Sequence, residues 1–303
     1  MSKAKLTFLG TGTSQGVPII GCCCDVCKSS DTKDKRLRSS VLVEMGGLTI
    51  LVDAGPDFRA QMLRENVRHL DAILLTHNHM DHIGGLDDVR AFNYIDRKPA
   101  RIFCEKRVLD SLKISYSYAF AEEKYPGAPE WRVNLIENKP FLVFPNNTGE
   151  LVWMHDLGYC TRMPDGSVVP CGGDIVGKAL TAEPSGSNSP DAVTVIPIRG
   201  YHDKMPILGF RFGDIAYLTD MSSIPDEEMS KLSGLKHLTL NTVSYHPHHS
   251  HFSLSEAVEM ARRIGAEHTW LTHLSHAFPT HGTFCQELPS GIAPAYDGLV
   301  IED

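Results

Sequence analysis

Short apolar runs ending in polar or glycine-rich tips recur along the whole chain. Leu6-Thr7-Phe8-Leu9 opens into Gly10, and Ala72-Ile73-Leu74-Leu75 lies in a strand predicted over 71–75. Val41-Leu42-Val43-Glu44 and Leu48-Thr49-Ile50-Leu51-Val52-Asp53 flank Gly46-Gly47, the pattern of a hairpin. Further strands are predicted at 101–103, 193–198, 209–212, 215–219 and 269–272. Residues 58–69 and 85–96 carry helical spacing. Another helix is predicted to start at Ser253, with Glu256 at the capping-box position. The Asp165-Gly166 step within 163–169 predicts a hairpin turn, and Thr181 to Asp191 an exposed loop. Between 106 and 160 the pattern loosens and aromatics gather (Tyr116, Tyr118, Phe120, Tyr125, Trp131, Trp153), as core packing or as a lid. Strands alternating with helices predict an α/β class.

The tips carry the chemistry. The strand at 71–75 runs into Thr76-His77-Asn78-His79-Met80-Asp81-His82, and Gly84-Gly85 follows. Four donors (His77, His79, Asp81 and His82) are too many for one open catalytic zinc and predict two adjacent metals. Asp53 ends a strand in the same way, as an orienting partner for a ligand histidine or as a turn cap. His202, Asp220 and His273 repeat the strand-then-donor order, with His276 three residues further on. Tyr245-His246-Pro247-His248-His249-Ser250-His251 precedes the capped helix, and the position of His251 suits a firmly held proton donor, with His249 in reserve.

Cys22-x-Cys24-x-x-Cys27 lets three thiolates face one tetrahedral zinc that then needs a fourth ligand; buried free thiols are the alternative. Cys23 is an alternative ligand or a bystander. Gly10-Thr11-Gly12 suggests a dinucleotide loop, but no helix follows it, so that reading is rejected.

Composition adds limits. With 29 basic and 37 acidic residues the net charge of the 303-residue chain is -8, which argues against a nucleic-acid partner. Fifteen histidines point toward metal. No apolar run approaches the ~20 residues of a membrane span. Met1-Ser2-Lys3-Ala4-Lys5 leads straight into a strand, so we expect no secretory signal and a cytoplasmic protein, where clustered cysteines favour metal over disulfide.

His77-x-His79-x-Asp81-His82, followed by His202, Asp220 and His273, resembles the metallo-β-lactamase superfamily. Cys22-x-Cys24-x-x-Cys27 and Thr272-His273-x-x-His276 resemble its PhnP-type branch, which contains a 5-phosphoribosyl 1,2-cyclic phosphate phosphodiesterase and is related to tRNA 3′-processing endonucleases. The resemblance implies a four-layer αβ/βα sandwich of two mixed sheets with helices outside, over 1–303 as one domain with an insertion at about 106–190. It implies two divalent catalytic ions, zinc or manganese, one held by His77, His79 and His202, the other by Asp81, His82 and His273, with Asp220 bridging. Such ions share a water and lower its pKa. His276 would complete a structural zinc with Cys22, Cys24 and Cys27, and His251 would protonate the leaving group. The implied function is hydrolysis of a small phosphodiester, such as a cyclic ribose or nucleotide phosphate, by a protein whose relative is a homodimer. Cys23 and the length and aromatic content of 106–190 depart from the pattern, which implies a different pocket. The alternatives are an RNA-processing nuclease, whose long substrate-gripping arm is not apparent here, a thioester or lactam hydrolase, and a non-hydrolytic binding protein of cofactor biosynthesis.

Overall fold

The computed structural model describes residues 3–146, 150–154, 158–162, 168–170 and 192–303. Its strands form two large mixed β-sheets flanked by helices. The chain divides into two compact units.

The unit of Gly46–Glu137 and Phe141–Val193 is built on parallel pairing. Strands Leu48–Val52, Ala72–Leu74, Ala100–Cys104 and Trp131–Leu135 lie side by side in chain order, each parallel to the next. Helices Phe58–Arg64, Arg90–Asp96 and Lys106–Ser115 fill the crossovers that parallel strands require. Ile50, Leu51 and Val52 are all fully buried. Successive strand residues face opposite sides, so both faces of this sheet are covered, each large side chain contributing about 1.5–3 kcal/mol. Parallel order also brings the C-terminal tips to one edge, where Asp53 and Thr76 begin their loops.

Two helices differ from the sequence pattern. The helix expected over 58–69 stops at Arg64, because Asn66 turns into the left-handed region (φ 53°), which Asn tolerates. The one expected over 85–96 is a 3-10 turn, Leu86–Val89, followed by Arg90–Asp96, and a separate short helix, Met80–Ile83, forms inside the histidine loop. Gly85 makes this possible: a Cβ there would stand 2.1 Å from the Gly55 carbonyl oxygen. Tyr116 and Trp131 are buried edge to face at 5.3 Å, and Phe120 meets Trp131 at 5.7 Å, so these aromatics pack as core. Strands Gly158–Arg162 and Val168–Pro170 pair antiparallel. The turn expected at Asp165-Gly166, the side chain of Trp153 and the loop from Thr181 to Asp191 lie outside the described residues.

In the other unit (Met1–Met45, Asn138–Pro140 and Thr194–Asp303), Ala4–Gly10 runs antiparallel between Val300–Glu302 and Ser40–Met45. Val193–His202, Met205–Phe212 and Ile215–Leu218 form an antiparallel meander. From Ile215–Leu218 the order continues in parallel through His237–Asn241, His268–Thr272 and Ile292–Pro294. The meander reverses direction twice, so His202, Asp220 and His273 reach the same edge. Helix Leu254–Ile264 lays Ala257 and Ala261 on Leu238, Leu240 and Leu271. It starts in the expected capping box of Ser253 and Glu256, and ends at Gly265, φ 73°. Among the described residues no helix is long and apolar enough to cross a membrane.

His69 ties two segments of its unit, its Nδ1 donating to Asp96 Oδ2 (2.7 Å) and its Nε2 to Asp71 Oδ1 (3.0 Å). The Asp71 bond, aided by Asp96 and opposed by burial, raises the imidazole to about 9. A pKa raised on folding stabilises fully below the unfolded value of about 6.5, and the benefit is lost as pH rises toward 9. The denaturant midpoint of the protein is therefore expected to exceed that of His69→Gln at pH 6, with the gap narrowing steadily by pH 9.5. A gap that does not change with pH would contradict the charged clamp.

Candidate metal centres

In the unit that contains the histidine loop, one carboxylate organises the imidazoles. Asp53 is fully buried, and its Oδ2 accepts from His82 Nδ1 at 2.7 Å and from Thr76 Oγ1 at 2.8 Å. Its Oδ1 accepts from the Thr76 amide at 2.9 Å. The Thr76 hydroxyl in turn accepts from His77 Nδ1 at 2.9 Å. Asp53 thus fixes His82 directly and His77 through a hydroxyl. With Nδ1 committed as donor, each neutral ring carries its lone pair on Nε2, the arrangement of a metal-ligating histidine with an orienting carboxylate. Of the two roles open to Asp53, the orienting one matches these contacts. Burial pushes its carboxyl above the ordinary range, against the pull of His82 and the Thr76 donors.

The His77 ring lies 4.7 Å from that of His79 and 4.2 Å from that of His82. Asp81 Oδ2 stands 3.3 Å from His82 Nε2. A lone pair and a carboxylate oxygen so close together suit a cation held by both. Imidazole and carboxylate donors in this mixture fit zinc or manganese.

The second unit gathers His202, Asp220, His251 and His273. Asp220 Oδ1 lies 2.9 Å from His273 Nε2 and 3.7 Å from His251 Nδ1. Thr219 Oγ1 donates to Asp220 Oδ2 at 2.7 Å, and His202 Nδ1 donates to the Asp220 carbonyl oxygen at 2.8 Å. His202, Asp220 and His251 are close enough to share one ion. The His251 ring stacks on His273 at 4.9 Å and meets His202 edge to face at 4.6 Å. Burial, helped by His273 and opposed by Asp220, pushes His251 down to about 3, so its resting form is neutral. His248 lies 5.2 Å from His251, whereas His249, the reserve residue, is exposed and faces the His248 ring at 4.6 Å.

Asp53, Asp220 and His273 all take left-handed backbone angles (φ 63°, 61° and 57°), rare outside glycine and favoured there by Asp and His. The turn beyond Asp220 is held by Asn241, whose amide accepts from Met221 N (2.8 Å) and donates to Met221 O (3.0 Å). Thr76 and Asn241 escaped the sequence reading. Thr76 had a signal, its place between a strand end and the first histidine; Asn241 had none.

A third cluster, also in this unit, joins Cys22, Cys24, Cys27 and His276. His276 Nδ1 lies 3.2, 3.5 and 3.6 Å from the three sulfurs in turn. Bond lengths of about 2.3 Å to sulfur and 2.0–2.1 Å to nitrogen give a tetrahedral edge of roughly 3.5 Å. The four donors therefore fit a zinc tetrahedron, while Cys23 is exposed and outside the group, a bystander. Ile19 N donates to Cys27 Sγ at 3.4 Å, and Val17, Ile19 and Val26 cover the thiols. The Cys27 amide lowers Cys24 to about 6, whereas burial raises Cys27 to about 11.

A family model described as a β-lactamase superfamily domain matches residues 49–161 and 176–274. The chain belongs to that superfamily and has the metallo-β-lactamase fold, two mixed sheets flanked by helices. Within it, the chain is similar to the crystal structure of a diphosphatase from the PhnP family: 36% identity, 100% of this chain and 98% of that one covered, TM-score 0.78. An octanoyltransferase of Porphyromonas gingivalis is 36% identical over 297 residues, 97% of this chain. The chain spans only 51% of that protein's length. Human tRNase Z, short form, shares the fold at 16% identity and TM-score 0.58, with 98% of each chain covered.

Cys24→Ser is expected to lower bound zinc by one per chain and to reduce thermal stability, with the remaining metal retained. Elemental analysis of the purified variant checks this; an unchanged zinc content would remove the thiolate site.

Proposed function

We propose that this chain is a dinuclear metal-dependent hydrolase that adds water at phosphorus and breaks one P–O ester or anhydride bond of a small phosphodiester or diphosphate. The observation that carries this reading is full-length similarity to a PhnP-family diphosphatase at 36% identity, with the superfamily's donor set present in this sequence. His77, His79 and His202 would hold one ion, Asp81, His82 and His273 the other, and Asp220 both. The bound ions would supply Lewis acidity toward the phosphoryl oxygens and bring the pKa of water near neutrality.

The residues do the rest. Asp53 and Thr76 keep His82 and His77 in one tautomer, so their lone pairs stay aimed without reorganisation. His251 is half-buried, packed against His202 and His273 and beside Asp220. An anionic phosphoryl group entering there would raise it from its neutral resting state, and its proton would then pass to the leaving oxygen, a contribution of roughly 10²–10⁴ in rate. The net charge of -8 favours a small substrate over RNA. The octanoyltransferase name describes a protein of which this chain covers 51%, so that activity is not carried over to this chain.

Asp220→Ala is expected to lose one or both catalytic metals and nearly all activity on bis-p-nitrophenyl phosphate with added zinc or manganese. Full metal content with full activity would refute the bridging role. His251→Ala should keep its metal yet slow alkyl esters far more than activated aryl esters. Equal slowing of both would remove His251 as proton donor. Turnover of an octanoyl thioester without turnover of any phosphoryl substrate would overturn the reaction class.

A further inference from the structure

Between the histidines of the loop sits Asn78, whose two side-chain ends both find partners on a single helix. Its Oδ1 accepts from Arg107 Nη1 at 2.7 Å, and its Nδ2 donates to Ser111 Oγ at 2.8 Å. A guanidinium can only donate, so the orientation of the amide follows from chemistry. Arg107 and Ser111 are four residues apart on helix Lys106–Ser115 and therefore share a face. That helix is seated by Val108, Leu109 and Leu112, all buried. At its far end the Tyr116 hydroxyl donates to the Ile83 carbonyl oxygen at 2.7 Å, one residue past His82. One rigid helix thus grips the loop at Asn78 and again at Ile83, and the stretch between the grips holds His79, Asp81 and His82.

We propose that helix Lys106–Ser115 is the brace of the metal-holding loop, with Asn78 and Tyr116 as positioning residues that set how tightly the loop binds its ions. The inference rests on the function proposed above, in that the loop must bind metal. A flexible loop would have to order four donors at the moment of binding. A braced loop has met that entropy cost on folding, so loosening the brace weakens binding. Asn78 contributes no ligand atom; its amide is occupied by the helix. Its role is distinct from that of Asp53, which fixes the rings, because Asn78 and Tyr116 fix the backbone that carries them.

The experiment measures affinity for zinc by chelator competition, zinc stoichiometry, and the melting temperature of the metal-free protein, for the parent and for Asn78→Ala, Asn78→Asp and Tyr116→Phe. Asn78→Ala and Tyr116→Phe are each expected to weaken zinc binding in the loop about 10–100-fold, the usual effect of losing a supporting partner. Asn78→Asp still accepts from Arg107 and from the Ser111 hydroxyl, and should recover most of the loss. Should Asn78→Ala fail to fold, Ser111→Ala removes a single bond and is expected to give a smaller loss of affinity. Zinc affinity within twofold of the parent in the folded variants, even with a lower melting temperature, would overturn the proposal and leave Asn78 a merely structural residue. If the parent's zinc uptake were unaffected by replacing His77 and His79 together, the function proposed above would fail instead, since the loop would hold no metal.

Discussion

A single buried carboxylate, Asp53, decides the orientation of the histidine loop. Sealing an ionised group from water is costly unless it is paired and hydrogen-bonded. Here the strand-end position supplies three donors: the Thr76 amide, the Thr76 hydroxyl and His82. Asp53 can face them because its backbone turns left-handed directly after Val52, which swings the side chain from the sheet toward the neighbouring tip. That neighbour is the next parallel strand, so the carboxylate and the loop it governs are adjacent by pairing order.

The other unit reaches a comparable order by different means. Asp220 is stationed by backbone contacts: its carbonyl oxygen orients His202, and Asn241 holds the residue that follows it. Met221 fits there because a Cβ at Gly200 would stand 2.3 Å from its sulfur, leaving room only for glycine. Three residues beyond His273, His276 enters the thiolate cluster. A zinc bound by those four donors would pin the segment that also carries His273. Leu274 N, donating to Thr11 O at 2.8 Å, ties the same segment to the amino-terminal strand.

Both arrangements place polar side chains just past the ends of parallel strands, where apolar walls on both faces keep the backbone from shifting. Rigid support of this kind serves electrostatic catalysis, in which oriented dipoles and charges stabilise the transition state without reorganising. The acidic balance of the whole chain does not bear on this; local placement does.

Much of this was legible in the sequence. Runs such as Ile50-Leu51-Val52 predicted buried strands because both faces of a parallel sheet need apolar cover, and the capping box at Ser253 and Glu256 was local enough to be read directly. The spacing of Cys22, Cys24 and Cys27 announced three thiolates, and the cluster at 77–82 announced metal chemistry, since donors close in sequence cannot be far apart in space. Helix ends were less legible: Asn66 stopped one helix through its own backbone angle, and the packing of Gly85 on Gly55 created another inside the loop. Only tertiary structure decided that Asp53 holds two histidines, that one helix grips the loop at Asn78 and, through Tyr116 at its end, at Ile83, and that Asn241 secures the turn after Asp220. Those contacts join residues from about 20 to more than 30 positions apart, and their geometry comes from strand order and register, which no local pattern of residues encodes.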